Sequence, residues 1–224
     1  MFRKYFFKPF IHLFYRPLVL KYISKKRKYS FKNINLIIRK GVFHPGLFFS
    51  TKFLIEFLEK ENLEGKRLLE LGSGSGLISI FSERKKAIVT ASDISKTAVE
   101  NTEENAIRNH SVINVIQSDL FDEMKNLFFD FIIINPPYYP KNPGSESDFA
   151  WFCGDDYSYF RKLFSELNFH ISDNSKVIMC WSEDSDIKPV IQIADSFNFR
   201  MIELKRKQIW FENNFIYQII KTEK

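Results

Sequence analysis

With 224 residues and 45% hydrophobic content, the chain suits one domain plus a small extension and is too apolar to be disordered overall. Its two cysteines, Cys153 and Cys180, are too few for a disulfide framework and lack metal-ligand spacing, which excludes a disulfide-stapled scaffold and a zinc module and makes a reducing cytoplasm the expected compartment. The net charge of +6 is uneven: residues 1–55 hold 13 of the 33 Lys and Arg and no Asp or Glu, while the remainder holds 20 basic against 27 acidic residues.

That split gives the first segment, residues 1–55, a polyanion or an acidic surface as its expected partner. Residues 1–30 interleave Phe, Tyr, Leu and Ile with basic residues, and Pro9 and Pro17 punctuate them, which predicts short helical pieces. Three readings are open: an extension packed on the domain with its lysines snorkelling outward, a nucleic-acid contact centred on Lys25, Lys26, Arg27 and Lys28, or association with an anionic membrane surface. No uncharged apolar stretch approaches the roughly 20 residues that span a bilayer, so no transmembrane segment is expected. Lys8, Arg16 and Lys21 interrupt any secretory h-region.

Ile34, Leu36 and Ile38 alternate towards Gly41 as a strand would, and Gly41 to Gly46 is a turn in which His44 beside Pro45 reads as a turn residue. A helix follows from about Phe48 to Glu61. Residues 1–44 are taken as a basic aromatic extension and 45–224 as the main domain. From Lys66 onward strands and helices alternate, which predicts an α/β fold: a Rossmann-like, seven-stranded, mostly parallel sheet with helices on both faces. The expected strands are Arg67 to Leu71, Ala87 to Ala91, Ile113 to Gln117, Phe131 to Ile134 and Lys176 to Trp181, with Phe199 to Glu203 and Ile209 to Ile220 as two final strands or a hairpin. The expected helices run from Leu77 to Lys85, Lys96 to Asn109, Tyr157 to Ile171 and Ile187 to Phe197. Ser95 is the expected N-cap of the second of these, with Ala98, Ala106 and Ile107 facing the sheet.

Polar groups stand at four strand ends in succession. Glu70-Leu71-Gly72-Ser73-Gly74-Ser75-Gly76 follows the first strand, and its glycines let the backbone turn sharply and a ligand approach the main chain. A dinucleotide fold would seat pyrophosphate there, but the Gly-x-Gly-x-Gly spacing displaces its third glycine, and the carboxylate of Glu70 suits an ammonium group better than a phosphate. Asp93, followed by Ile94, ends the next strand, where it can accept ribose hydroxyls. Asp119, followed by Leu120, ends the third. The apolar run Phe131 to Ile134 then stops at Asn135-Pro136-Pro137-Tyr138, whose prolines cannot extend a ladder and hold the backbone rigid.

Asn-Pro-Pro-Tyr after this series resembles the substrate motif of class I S-adenosylmethionine-dependent methyltransferases, the HemK-like and small-domain group that methylates planar nitrogens. The resemblance covers about residues 45 to 181. It implies S-adenosylmethionine as cofactor, held by Glu70, Gly72, Gly74, Gly76, Asp93, Ile94, Asp119, Leu120 and Asn135. Asp119 would meet the adenine amino group between Ile94 and Leu120. Asn135 and the carbonyl of Pro136 would accept the two N–H hydrogens of the target, with Tyr138 stacked on its plane. Ser50-Thr51 falls where the HemK-like enzymes carry Asp-Thr, and Cys153 and Tyr157 replace two glycines of their Gly-Gly-x-Asp-Gly stretch. The loop from Tyr139 to Trp151 reads as a substrate lid or as an inert surface loop.

The implied reaction is N-methylation of a macromolecule, at a protein glutamine amide or at the exocyclic amine of an RNA base, the basic segment suiting the second. A non-catalytic cofactor- or nucleic-acid-binding module and an NAD-dependent oxidoreductase are the competing expectations.

Overall fold

The computed structural model describes residues 25–209 and 212–222. The short helical pieces expected over residues 1–24 lie outside the described residues, as do Trp210 and Phe211 within the last expected strand. The chain opens on a hairpin, β1 (Arg27–Phe31) and β2 (Ile34–Ile38), followed by α1 (Ser50–Leu58). Alternation then proceeds as β3 (Arg67–Leu71), α2 (Leu77–Arg84), β4 (Ile88–Asp93), α3 (Lys96–Arg108), β5 (Ile113–Gln117), β6 (Phe131–Ile134), α4 (Ser158–Leu167), β7 (Lys176–Ser182) and α5 (Lys188–Ser196). It ends in the hairpin β8 (Phe199–Ile209) and β9 (Glu212–Lys221).

The seven-stranded sheet has the order β5-β4-β3-β6-β7-β9-β8. Strands β3 to β7 pair in parallel, and only β9 runs against its neighbours. The chain winds outward from β3 to β5 and returns to place β6 beside β3, so the order reverses between Glu70 and Asn135. Open α/β sheets bind ligands in the crevice at such a reversal. Two apolar layers cover the sheet. One joins Phe53, Leu54 and Leu58 of α1, Leu77, Ile78 and Ile80 of α2 and Ala98 of α3 to the sheet, and the other joins Phe160, Leu163 and Phe164 of α4 and Val190 and Ile193 of α5.

The first layer also contains Ile34, Leu36 and Ile38 of β2 and Val42. The outer edge of β2 would leave unpaired backbone groups, and three asparagines spaced four residues apart on α3 satisfy it. Asn109 Oδ1 accepts the Asn35 N–H at 2.9 Å while its amide donates to the Asn35 carbonyl at 2.8 Å. Asn105 accepts the Ile37 N–H at 2.8 Å and Asn101 the Arg39 N–H at 3.0 Å, and both donate to the Ile37 carbonyl. The helix thus acts as a third strand of side chains. Arg39 reinforces it through Glu100 and Glu104.

Two expectations need correction. Arg27–Phe31 is a strand rather than a helical piece, because Arg27, Tyr29 and Phe31 turn inward while Lys28 and Ser30 face out. Ile107 does not face the sheet: it is 76% exposed, whereas Ala98 and Ala106 are buried. The asparagine row takes the inner face of α3, and Ile107 lies about 200° round the helix from Asn105. Ser95 caps α3 as expected, its side chain accepting the Ala98 N–H at 3.1 Å.

Candidate active site

A cavity of about 280 Å³ lies at the reversal of strand order. Glu70, Gly72 and Gly74 line it from the end of β3, Asp93 and Ile94 from β4, Asp119 and Leu120 from β5, and Asn135, Pro136, Pro137 and Tyr138 from β6. Thr51 reaches it from α1. Gly76 is the one expected site residue off the lining. It opens α2 with φ +76°, and a Cβ there would come within 2.9 Å of Thr102 Cγ2, so its role is close packing of α2 against α3. At Gly72, by contrast, φ is +76° and an added Cβ would meet nothing within 4 Å, which leaves that stretch of backbone open to the cavity.

Glu70 is buried. Its Oε2 accepts the Ser79 N–H at 2.8 Å and the Ser79 hydroxyl, which ties the end of β3 to α2. Burial pushes its carboxyl up to about 8, the two Ser79 bonds opposing and nearby Asp93 adding to the shift. Asp93 accepts the Gly74 N–H at 2.9 Å and the Ser95 N–H at 3.0 Å, and burial raises it to about 6 against those bonds. A buried carboxyl and a partly buried one in the same cavity, neither forming an ion pair among the described residues, suit a cationic, hydroxyl-bearing ligand.

At the end of β6, Asn135 Oδ1 is buried and has no hydrogen-bond partner among the described residues. Leaving such an acceptor unmade costs about 1–3 kcal/mol, and a donor arriving in the cavity recovers it. The ring of Tyr138 stands edge to face with Tyr139 at 5.4 Å and with Trp181 at 5.6 Å. Burial raises its phenol far above the usual value, which keeps the ring neutral and unsuited to acting as a base. Cys153 also lines the cavity, and burial pushes its thiol up to about 11, so it is not a nucleophile at neutral pH.

Several lining residues carry no sequence signal. Val42 and Phe43 follow the hairpin held by the asparagine row, and Tyr159 and Lys162 occupy one face of α4. The loop after Tyr138 folds back: the Tyr139 N–H donates to the Trp151 carbonyl at 3.1 Å and the Cys153 N–H to the Tyr139 carbonyl at 3.0 Å. A short 3₁₀ turn, Glu146–Ala150, carries Glu146 to the N-terminus of α3, where Oε1 accepts the Ser95 hydroxyl at 2.7 Å and the Thr97 N–H at 3.0 Å. Those donors, Thr97 first, hold Glu146 below the usual carboxylate range. Tyr157, where the resemblance places a glycine, has φ +61°, the conformation a glycine adopts without cost. His44 is the expected turn residue, with Nδ1 accepting the Gly46 N–H at 3.1 Å.

Among the described residues no His, Cys, Asp and Glu group could hold a metal, and no helix is long and apolar enough to cross a membrane. A glycine turn after a central parallel strand, acids at the next two strand ends and Asn-Pro-Pro-Tyr after the fourth define the Rossmann-like methyltransferase class. The methyltransferase small domain model matches residues 33–150, and the chain belongs to that family.

A release factor glutamine methyltransferase of Lactococcus lactis is 31% identical over 163 residues, covering 67% of this chain and 59% of that protein. One of Aquifex aeolicus is 39% identical over 112 residues, covering 47% of this chain and 39% of its own length. The chain thus spans 59% and 39% of these two relatives. Among solved structures, the E. cuniculi Mtq2–Trm112 complex, responsible for methylation of the eRF1 translation termination factor, superposes with a TM-score of 0.61 at 22% identity, covering 81% of this chain and 99% of that one. That likeness is one of fold.

Proposed function

We propose that the chain is an S-adenosylmethionine-dependent N-methyltransferase acting on a glutamine side-chain amide of a protein. The observation that carries N-methyl transfer is the orphaned Oδ1 of Asn135, a buried acceptor with no donor among the described residues, and the likeness to release factor glutamine methyltransferases favours the glutamine amide as its target. The cofactor fits the residues present. Glu70 and Asp93 offer carboxylates to its ammonium and ribose hydroxyls, and the open backbone at Gly72 admits it without a side chain in the way.

When bound, S-adenosylmethionine supplies an electrophilic methyl group. An amide nitrogen is a poor nucleophile because its lone pair is delocalised, so the chain must position it and help localise that pair. Asn135 Oδ1 accepts one amide N–H and the Pro136 carbonyl the other, which aims the nitrogen and favours the positive charge it acquires. Tyr138, braced by Trp181 and Tyr139, packs its neutral ring on the amide plane. No strong base is required, since the methylated nitrogen loses its proton readily.

The catalytic domain in this reading is residues 45–224 with the β1–β2 hairpin packed on them, since Ile34, Leu36 and Ile38 lie in its core and Val42 and Phe43 line the cavity, and the basic residues of 1–44 engage the substrate, in the cytoplasm where translation factors act. The amino group of an RNA base is the second reading, favoured by the Lys25 to Lys28 run and its exposed Lys28. Substitution of Asn135 by Ala tests the central assignment. It is expected to abolish transfer while S-adenosylhomocysteine affinity, measured by calorimetry, stays within about threefold, the change of a lost weak contact. Full turnover in the variant would overturn it.

A further inference from the structure

The end of β5 is held by an ion pair from a helix that comes later in the chain, α4. Asp119, whose side chain is half exposed, pairs through Oδ2 with Lys162 Nζ of α4 at 2.7 Å. The same ammonium donates to Asp122 Oδ2 at 2.7 Å and to the Asp119 carbonyl at 3.1 Å. An ammonium has three donors, so all of them are spent on this one turn and none remains for a ligand. Glu166 adds a further carboxylate 3.9 Å from Nζ. One cation among three carboxylates leaves the turn net negative, a surface that favours a ligand's hydrogen-bond donor over an acceptor.

The turn is under strain. Leu120 between the two aspartates has φ +52°, a left-handed conformation that a side chain disfavours. Ser118 grips it from the other side, donating to the Leu120 carbonyl at 2.9 Å and accepting the Glu123 N–H at 3.1 Å. Asp119, Leu120, Tyr159 and Lys162 all line the cavity, and Asp119 Oδ1 has no donor among the described residues.

We propose that Lys162 is a positioning residue for the nucleobase end of the cofactor site: by holding Asp119 Oδ2 and the strained turn, it presents Asp119 Oδ1 to the amino group of an adenine. The inference rests on the reading of the cavity as an S-adenosylmethionine site. Lys162 sets base specificity without touching the base, since adenine offers a donor there and hypoxanthine an acceptor that the carboxylate repels.

The test compares S-adenosylhomocysteine with S-inosylhomocysteine by titration calorimetry on the full chain and its Lys162→Met and Asp122→Asn variants. The wild type is expected to favour the adenine ligand by at least about tenfold, one charge-assisted hydrogen bond. Lys162→Met should collapse that ratio towards unity, and Asp122→Asn, which removes one leg of the clamp, should lower it part of the way. A merely structural lysine would weaken both ligands equally and leave the ratio alone. An unchanged ratio in Lys162→Met, or in Asp122→Asn if the first variant does not fold, overturns the inference. Absence of S-adenosylhomocysteine binding by the wild type would overturn the functional reading and this inference together.

Discussion

Glu70, buried, and Asp93, partly buried, give the site a pH dependence with a definite sign. Glu70, raised to about 8, is protonated at neutral pH until a cationic ligand arrives. Binding therefore releases a proton, and affinity for S-adenosylhomocysteine is expected to climb as pH rises from about 6 to about 8. For stability the sign is opposite. The folded state holds a proton that the unfolded chain gives up near 4.5, so Glu70 costs the empty protein stability as pH rises from there to about 8. Glu70→Gln should consequently raise the melting temperature of the empty protein at pH 8 while weakening ligand binding, as thermal shift and calorimetry will read. Gly76→Ala belongs to packing instead. Its positive φ and the 2.9 Å approach to Thr102 predict a loss of about 2–4 kcal/mol in urea unfolding.

At the scale of elements, α3 does two jobs: it covers the sheet and it completes the β1–β2 hairpin through Asn101, Asn105 and Asn109. Asn105→Ala leaves the Ile37 N–H and the Ser75 carbonyl without that partner and is expected to cost about 2–4 kcal/mol. Hydrogen exchange at residues 34–38 should accelerate in the same variant. Much of the architecture was legible in the sequence because buried parallel strands read as apolar runs: Arg67–Leu71 and Phe131–Ile134 fall where expected, and so does the less buried edge strand Ile113–Gln117. Arg27–Phe31 was not legible, since its inward face mixes Arg27 with two aromatic rings. The strand-end residues of the site were legible because topology alone brings them together. Glu146 and Lys162 were not, since their partners Ser95 and Asp119 lie 51 and 43 residues away and only packing joins them.

For the whole molecule, the proposed function assigns substrate engagement to the basic charge of the first quarter, although its Val42, Phe43 and Thr51 also line the cavity. If residues 1–55 meet a polyanion, affinity should fall steeply with salt, and replacing Lys25, Lys26, Arg27 and Lys28 by Gln should flatten that slope. An unchanged slope would remove the run as the phosphate contact. The reading of the cavity does not depend on that outcome, because the orphaned Asn135 acceptor and the acids Glu70 and Asp93 serve the same chemistry on a protein or an RNA. The most direct measurement incubates radiolabelled S-adenosylmethionine and the protein with cell extract, then digests with protease or RNase and analyses the labelled residue. The account predicts label that protease removes, recovered as methylated glutamine and absent with Asn135→Ala. Label that persists with Asn135→Ala, or that only RNase removes, would contradict it.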